Sequence, residues 1–193
     1  MIHKPSDDFG GLCFLQASHD CLCRVIVVGA NGAGKTTFAN RLADQIATQV
    51  IHKDALVLTT SWKRRSEERV QEALLQRLAD QRWVLEGGPS ILSPTALQRA
   101  ELIIWLDTPA PLRVWRIIVR SLRYFGRTRP EHPPGNPDWP GRRQWRFLVR
   151  AGMSGPQFAH AIETALENWE RPVIRLRTRL AVNQFLLCVE KSV

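Results

Sequence analysis

The run Gly29-Ala-Asn-Gly-Ala-Gly-Lys-Thr36 constrains this chain more than any other feature, because it fits G-x-x-x-x-G-K-[ST] and has the flanks that pattern needs. Before it, Cys23-Arg-Val-Ile-Val-Val-Gly29 is a β-branched run ending in glycine, which reads as a buried strand. After it, Phe38, Leu42 and Ile46 recur four apart in Thr36–Ala47, so one helical face is apolar. Strand, glycine-rich loop and helix in that order form an anion cradle. The glycines let the backbone turn and aim N–H groups inward, and the helix N-terminus adds a partial positive charge. The expected cradle comprises Gly29, Ala30, Asn31, Gly32, Ala33, Gly34, Lys35, Thr36 and Thr37, with Lys35 on the outer phosphates of a nucleoside triphosphate and the Thr36 hydroxyl on Mg2+.

The rest of the chain alternates strand and helix signals. Val50–Asp54 reads as a second strand ending in a carboxylate, and Val70, Leu74, Leu75 and Leu78 give Glu67–Asp80 a helical face. Trp83–Glu86 reads as a third strand stopped by Gly87-Gly-Pro89. A short helix led by Ser93-Pro94 reaches Ala100, and the strand Leu102–Leu106 runs into Asp107. A long helix begins at Pro111, reaches about Phe125 and ends at Gly126. Pro130–Gly141 is a loop with five prolines; helical stretches near 142–150 and 156–169, a strand Val173–Leu176 and a helix through Phe185 and Leu187 follow. Such alternation implies an α/β fold, a parallel sheet with helices on both faces. Residues 1–20 are read as an N-terminal extension whose order the sequence leaves open, and 21–193 as one domain with a lid region at about 126–143.

Strand-end carboxylates face a phosphate loop in such sheets, so Glu86 and Asp107 compete as the magnesium carboxylate. Glu86 is favoured, because two glycines beside it leave room for a ligand, whereas Asp107 precedes Thr-Pro and suits a helix cap. Asp54 suits either an acceptor-orienting role or a solvated turn. Arg113, Arg116, Arg120, Arg123 and Arg127 are spaced 3, 4, 3, 4 and form a stripe along one helical face, with Val114, Ile117, Ile118, Leu122 and Phe125 supplying an apolar side for the sheet. Like charges on one face repel unless an anion offsets them. Arg116, Arg120, Arg127 and Arg129 are therefore candidate transition-state contacts, beside the plainer reading of a solvated basic face.

The net charge of +9 is concentrated: ten arginines lie between Arg113 and Arg150 against only Glu131 and Asp138. Concentration favours a local anionic ligand over a polyanion spread across the surface. Trp139 and Trp145 near Arg142 and Arg143 suit base stacking, but no nucleic-acid-binding motif accompanies them, so nucleic acid is not the favoured partner. No apolar run approaches the roughly 18 to 20 residues of a membrane helix, and the N-terminus lacks a secretory pattern; no membrane partner and a cytoplasmic location are expected. The four cysteines have no CxxC spacing, and His19, Cys21 and Cys23 match no zinc pattern.

These residues resemble the small P-loop kinases related to adenylate kinase, most closely the bacterial adenylate-kinase-like DNA topology modulation proteins. The likeness runs from about Arg24 to Phe147 and rests on the phosphate loop, His52-Lys-Asp54, Trp83-Val-Leu-Glu-Gly-Gly-Pro-Ser90, Gln98–Asp107 and Arg120–Arg129. It implies a P-loop NTPase three-layer sandwich around a five-stranded parallel sheet, an arginine-rich lid closing over ATP, and phosphate-binding roles for Arg116 and Arg120. The family usually has Asp-Gly where this chain has Glu86-Gly87, and the monophosphate-reading positions of adenylate kinases proper find no match. The expected function is therefore transfer of the γ-phosphoryl group of Mg-ATP to a small-molecule or nucleotide acceptor. Catalytic roles fall to Lys35, Asp54, Arg116, Arg120, Arg127 and Arg129, with Thr36 and Glu86 at the metal. The alternatives are a nucleotide-dependent regulator that binds DNA through its basic face and a slow ATPase without a dedicated acceptor. The sequence leaves the acceptor, the base preference and the oligomeric state open.

Overall fold

The computed structural model describes residues 6–7, 22–128 and 142–192. Cys13, His19, Cys21, Arg129, the Pro130–Gly141 loop with Trp139, and most of residues 1–20 lie outside the described residues, as do the side chains of Arg142, Arg143 and Trp145.

The elements run β1 (Ser6–Asp7), β2 (Arg24–Gly29), α1 (Lys35–Gln45), β3 (Val50–His52), α2 (Lys53–Val57), α3 (Glu67–Leu78), β4 (Trp83–Gly87), α4 (Pro94–Arg99), β5 (Leu102–Leu106), α5 (Ala110–Arg123), α6 (Arg142–Met153), α7 (Gly155–Ala165), β6 (Val173–Leu176) and α8 (Arg179–Ser192). The strands form one parallel sheet in the order β1-β6-β5-β2-β4-β3. Five of them make the expected α/β sheet. The sixth is a two-residue edge strand in which Ser6 and Asp7 register with Ile174 and Arg175.

Strand residues alternate between two cores, the pattern of a sheet covered on both faces. Val25, Val27, Ile104 and Leu106 pack with Phe38, Leu42 and Ile46 of α1 and with Phe185 and Val189 of α8. Ile26, Val28, Leu85, Ile103 and Trp105 face the other way, onto Leu74 and Leu78 of α3, Ala96 of α4 and Ile162 of α7. The spacing of four that marked α1 thus buries one complete face, with Phe38, Leu42 and Ile46 all nearly inaccessible. Each such side chain contributes roughly 1.5–3 kcal/mol through removal from water. Pro94 opens α4 behind an N-cap in which the Ser93 hydroxyl accepts from the Ala96 N–H at 3.4 Å.

Two expectations need correction. Val50–Asp54 is not a strand to its end: the chain leaves the sheet after His52, and Asp54 lies exposed in the first turn of α2. An acidic residue there suits the positive end of a helix, and among the described residues β3 is an edge strand that pairs with β4 through three residues. The apolar side of α5 does not lie on the sheet either. Ile117 is buried, but Leu122 and Phe125 are 69% and 53% exposed. The first turns of α5 pack against the glycine-rich loop instead, and their buried side chains are Arg113 and Ile117.

Candidate functional site

Parallel pairing brings the C-terminal ends of β2, β4 and β5 to one edge, where Gly29 registers with Leu106 and Val27 with Glu86. The loop from Ala30 to Gly34 rises from that edge into α1. Gly32 and Gly34 have φ of 80° and 96°, a region that favours glycine. At Gly32 the need is doubled, because a Cβ would lie 2.5 Å from the Arg113 carbonyl oxygen. Gly34 is the N-cap of α1, no side chain caps that end, and no acidic residue occupies the first turn. The helix therefore presents uncapped N–H groups and its positive end to the loop, the arrangement that binds a phosphate.

The Lys35 ammonium donates to the Ala30 carbonyl at 3.1 Å, which folds it back over the loop. Burial pushes its pKa below the ordinary lysine value, while the nearby carboxylates of Glu86 and Asp54 raise it. The Thr36 hydroxyl donates to Glu86 Oε1 at 3.4 Å, and Glu86 is 6% exposed. His52 Nδ1 lies 3.0 Å from the same oxygen, a pair set by the register of His52 opposite Glu86 on adjoining strands. Sequence reasoning quoted His52 only within a motif. Its in-register neighbour could be named only once the sheet order was known.

Asp107 is turned to other work. Its Oδ2 accepts from Arg175 Nη2 at 2.8 Å and from Arg177 Nε at 3.3 Å. The Arg175 guanidinium also lies 3.9 Å from the Trp105 ring centroid, so this corner ties β5 to β6. Thr108, the next residue, reaches the loop: its hydroxyl donates to the Ala33 carbonyl at 3.1 Å.

The arginine stripe divides. Arg116 Nη1 donates to the Ala33 carbonyl at 2.8 Å and lies 3.2 Å from where a Cβ on Gly34 would be. Burial lowers its pKa, and Arg179 lowers it further. Arg120 is half-buried and near enough to Lys35 for its charge to lower the ammonium's pKa. Arg123 and Arg127 are exposed at and beyond the end of α5. Arg113 turns inward and is 2% exposed. Thr37, counted in the cradle, is exposed on the first turn of α1.

The hard oxygen donors of Thr36 and Glu86 at the loop suit Mg2+, which takes few protein ligands when it arrives with a nucleotide. Among the described residues no cluster of three or more His, Cys, Asp or Glu side chains could hold a metal alone. Cys23 is a free, half-buried thiol. No helix among the described residues is long and apolar enough to cross a membrane.

The family described as AAA domain matches residues 25–110, which takes in the loop, Glu86 and Asp107. No curated protein matches the chain. Among solved structures, shikimate kinase from Acinetobacter baumannii in complex with shikimate is 18% identical, covers 91% of this chain and 96% of its own, and has a TM-score of 0.50. Shikimate kinase from Bacteroides thetaiotaomicron is 16% identical over 88% and 96% of the two chains, with a TM-score of 0.47. The first of these likenesses shows the fold: a small P-loop kinase-like α/β domain.

Proposed function

We propose that this protein is a phosphotransferase that binds Mg-ATP on the Gly29–Thr36 loop and moves the γ-phosphoryl group to a hydroxyl or phosphate oxygen of a small acceptor. The observation that carries the reading is the Thr36 hydroxyl 3.4 Å from the buried Glu86 carboxylate, beside an ammonium folded over the loop. A glycine-rich turn with a merely exposed lysine has no need to bury a carboxylate there. In this reading the α1 N-terminus and loop N–H groups hold the phosphate oxygens, and Lys35 and Arg116 neutralise them. Arg120 adds positive charge near Lys35.

Magnesium, held by Thr36 and Glu86, would supply neutralisation of the charge that develops on the transferred group. His52 keeps Glu86 Oε1 turned towards Thr36. In the transfer, the bond from the γ-phosphorus to the bridging oxygen breaks, its electron pair leaving with the diphosphate, a bond to the acceptor oxygen forms, and, where the acceptor is a hydroxyl, its proton passes to a carboxylate. Asp54 suits that role: it is exposed, it opens α2 directly after β3, and its charge reaches Lys35. The narrower resemblance to DNA topology modulation proteins rests on the sequence motifs alone and names no acceptor. A cytoplasmic location belongs to the same proposal.

The test is ATP consumption by the purified protein with Mg2+ against a panel of nucleosides, nucleotides and small alcohols, beside a control without acceptor. One acceptor that lifts turnover well above the control supports the reading. Turnover that no acceptor raises turns it towards a slow ATPase, and DNA binding that weakens steeply with salt turns it towards the regulator.

A further inference from the structure

Four arginines share one face of α5 by sequence spacing, yet one of them is not a surface charge. Arg113 is 2% exposed, and its guanidinium is held by carbonyl oxygens from three segments. Nε donates to Thr108 at 3.1 Å, just ahead of α5, and Nη1 donates both to Asn31 in the phosphate loop at 3.3 Å and to Ala151 in the last turn of α6 at 2.9 Å. The site is built to fit. A Cβ on Gly155, the first residue of α7, would lie 2.8 Å from Arg113 Nη2. From there the contacts continue: Phe158 of α7 reaches within 3.5 Å of where a Cβ on Gly88 would stand, and Gly88 follows Glu86 and Gly87 at the end of β4.

Among the described residues the hydrogen-bond partners of this buried cation are carbonyls, which do not cancel its charge. The carboxylate whose field favours that charge is Asp107, which is already engaged with Arg175 and Arg177. Burying such a charge is costly, and an anion seated on the adjoining loop offsets the cost. Anything that stabilises Arg113 in place also stabilises its bond to Ala151, and by linkage the converse holds.

We infer that Arg113 is a positioning residue that couples the phosphate loop to the α6–α7 elbow, so that the phosphates of a nucleoside diphosphate or triphosphate on the loop fix α7 against the Gly88 turn. The inference rests on the Mg-ATP reading above. It assigns Arg113 no contact with the reacting atoms. What it supplies is a mechanical link, made of one guanidinium, between the phosphate loop and the α6–α7 elbow, whose Phe158 borders the Gly88 turn.

Hydrogen exchange on the full chain, with and without saturating Mg-ADP, tests it, with direct titration of Mg-ADP in parallel. In the wild-type protein Mg-ADP slows the amides of the 29–37 loop and also slows those of residues 151–158, by about fivefold or more at the elbow. Arg113→Lys keeps the charge but replaces the planar fork, which donates from Nε and from Nη1, by one compact ammonium that cannot occupy both donor positions. Gly155→Ala keeps Arg113 and pushes its Nη2 aside. At saturating Mg-ADP both variants retain slowing in the loop, while slowing at 151–158 falls below about twofold. A purely structural arginine would lower overall stability and leave the nucleotide response of the elbow intact, so variants with that behaviour overturn the inference. Wild-type protein that binds Mg-ADP with no response at 151–158 overturns it too. If Arg113→Lys does not fold, Gly155→Ala decides. Absence of Mg-ADP binding to the wild type sinks the functional reading first, and this inference falls with it.

Discussion

The hydroxyl of Thr36 and the carboxylate of Glu86 stand 3.4 Å apart although fifty positions separate them in the chain. The first residue belongs to α1 and the second to β4, and the pairing of β4 with β2 brings them together. That juxtaposition makes Glu86 the residue to change first. Glu86→Gln keeps the shape and removes the charge. It should lower Mg2+-dependent ATP turnover by about 100-fold and raise the Mg2+ concentration needed for half-maximal rate. A folded Glu86→Gln protein with the wild-type magnesium response would remove Glu86 from the site.

Asp107 should behave in the opposite way. Because it is tied to Arg175 and Arg177, Asp107→Asn should cost about 1 kcal/mol of stability and leave turnover within about twofold of wild type. Urea unfolding and an ATPase assay on the same preparation separate the two effects. A large loss of turnover with unchanged stability would restore Asp107 as a rival for the metal.

Lys35→Ala removes the ammonium that lies over the loop. Triphosphate binding or turnover should fall by about 100-fold in a protein that still melts cooperatively. Unchanged binding and turnover in the folded variant would end the phosphate-loop assignment.

The lowered pKa of Lys35 gives that residue a pH signature. The protonated form is the one that holds phosphate, and a bound triphosphate pulls the pKa back up. Affinity for Mg-ATP should therefore fall with rising pH, beginning below the ordinary lysine value of 10.5. The same shift makes the folded state bind fewer protons than the unfolded one in the window below 10.5, so this group's contribution to stability rises with pH there while affinity falls. Lys35→Arg, which stays protonated, should show weaker but flat binding across that range. A wild-type profile as flat as that of Lys35→Arg would contradict the account.

Arg116 and Arg127 share a stripe in sequence but not in space. Arg116 donates to the Ala33 carbonyl, whereas Arg127 is exposed beyond the helix. Arg116→Ala should lower kcat/KM by about 10-fold or more, and Arg127→Ala by about threefold at most. Equal losses from the two variants would mean that the whole basic face acts together.

What the sequence determined by itself is local. A glycine-rich loop of eight positions between a β-branched strand and an amphipathic helix can fold in few ways, so Gly29–Thr36, the Phe38–Leu42–Ile46 face and the strand Leu102–Leu106 are all legible from neighbours in the chain. What only the tertiary structure decided depends on which face meets which. Helical spacing put Arg113 on the same side as Arg116, but it could not show that the phosphate loop and α6 would close around that side and bury it. The same spacing made Leu122 and Phe125 core candidates, yet α5 packs by its first turns on the glycine-rich loop and both remain exposed. Nor could a strand-end carboxylate reveal its partner. Glu86 received His52 through sheet register and Asp107 received Arg175 across 68 positions, because side-chain pairing follows strand order, which no single segment encodes.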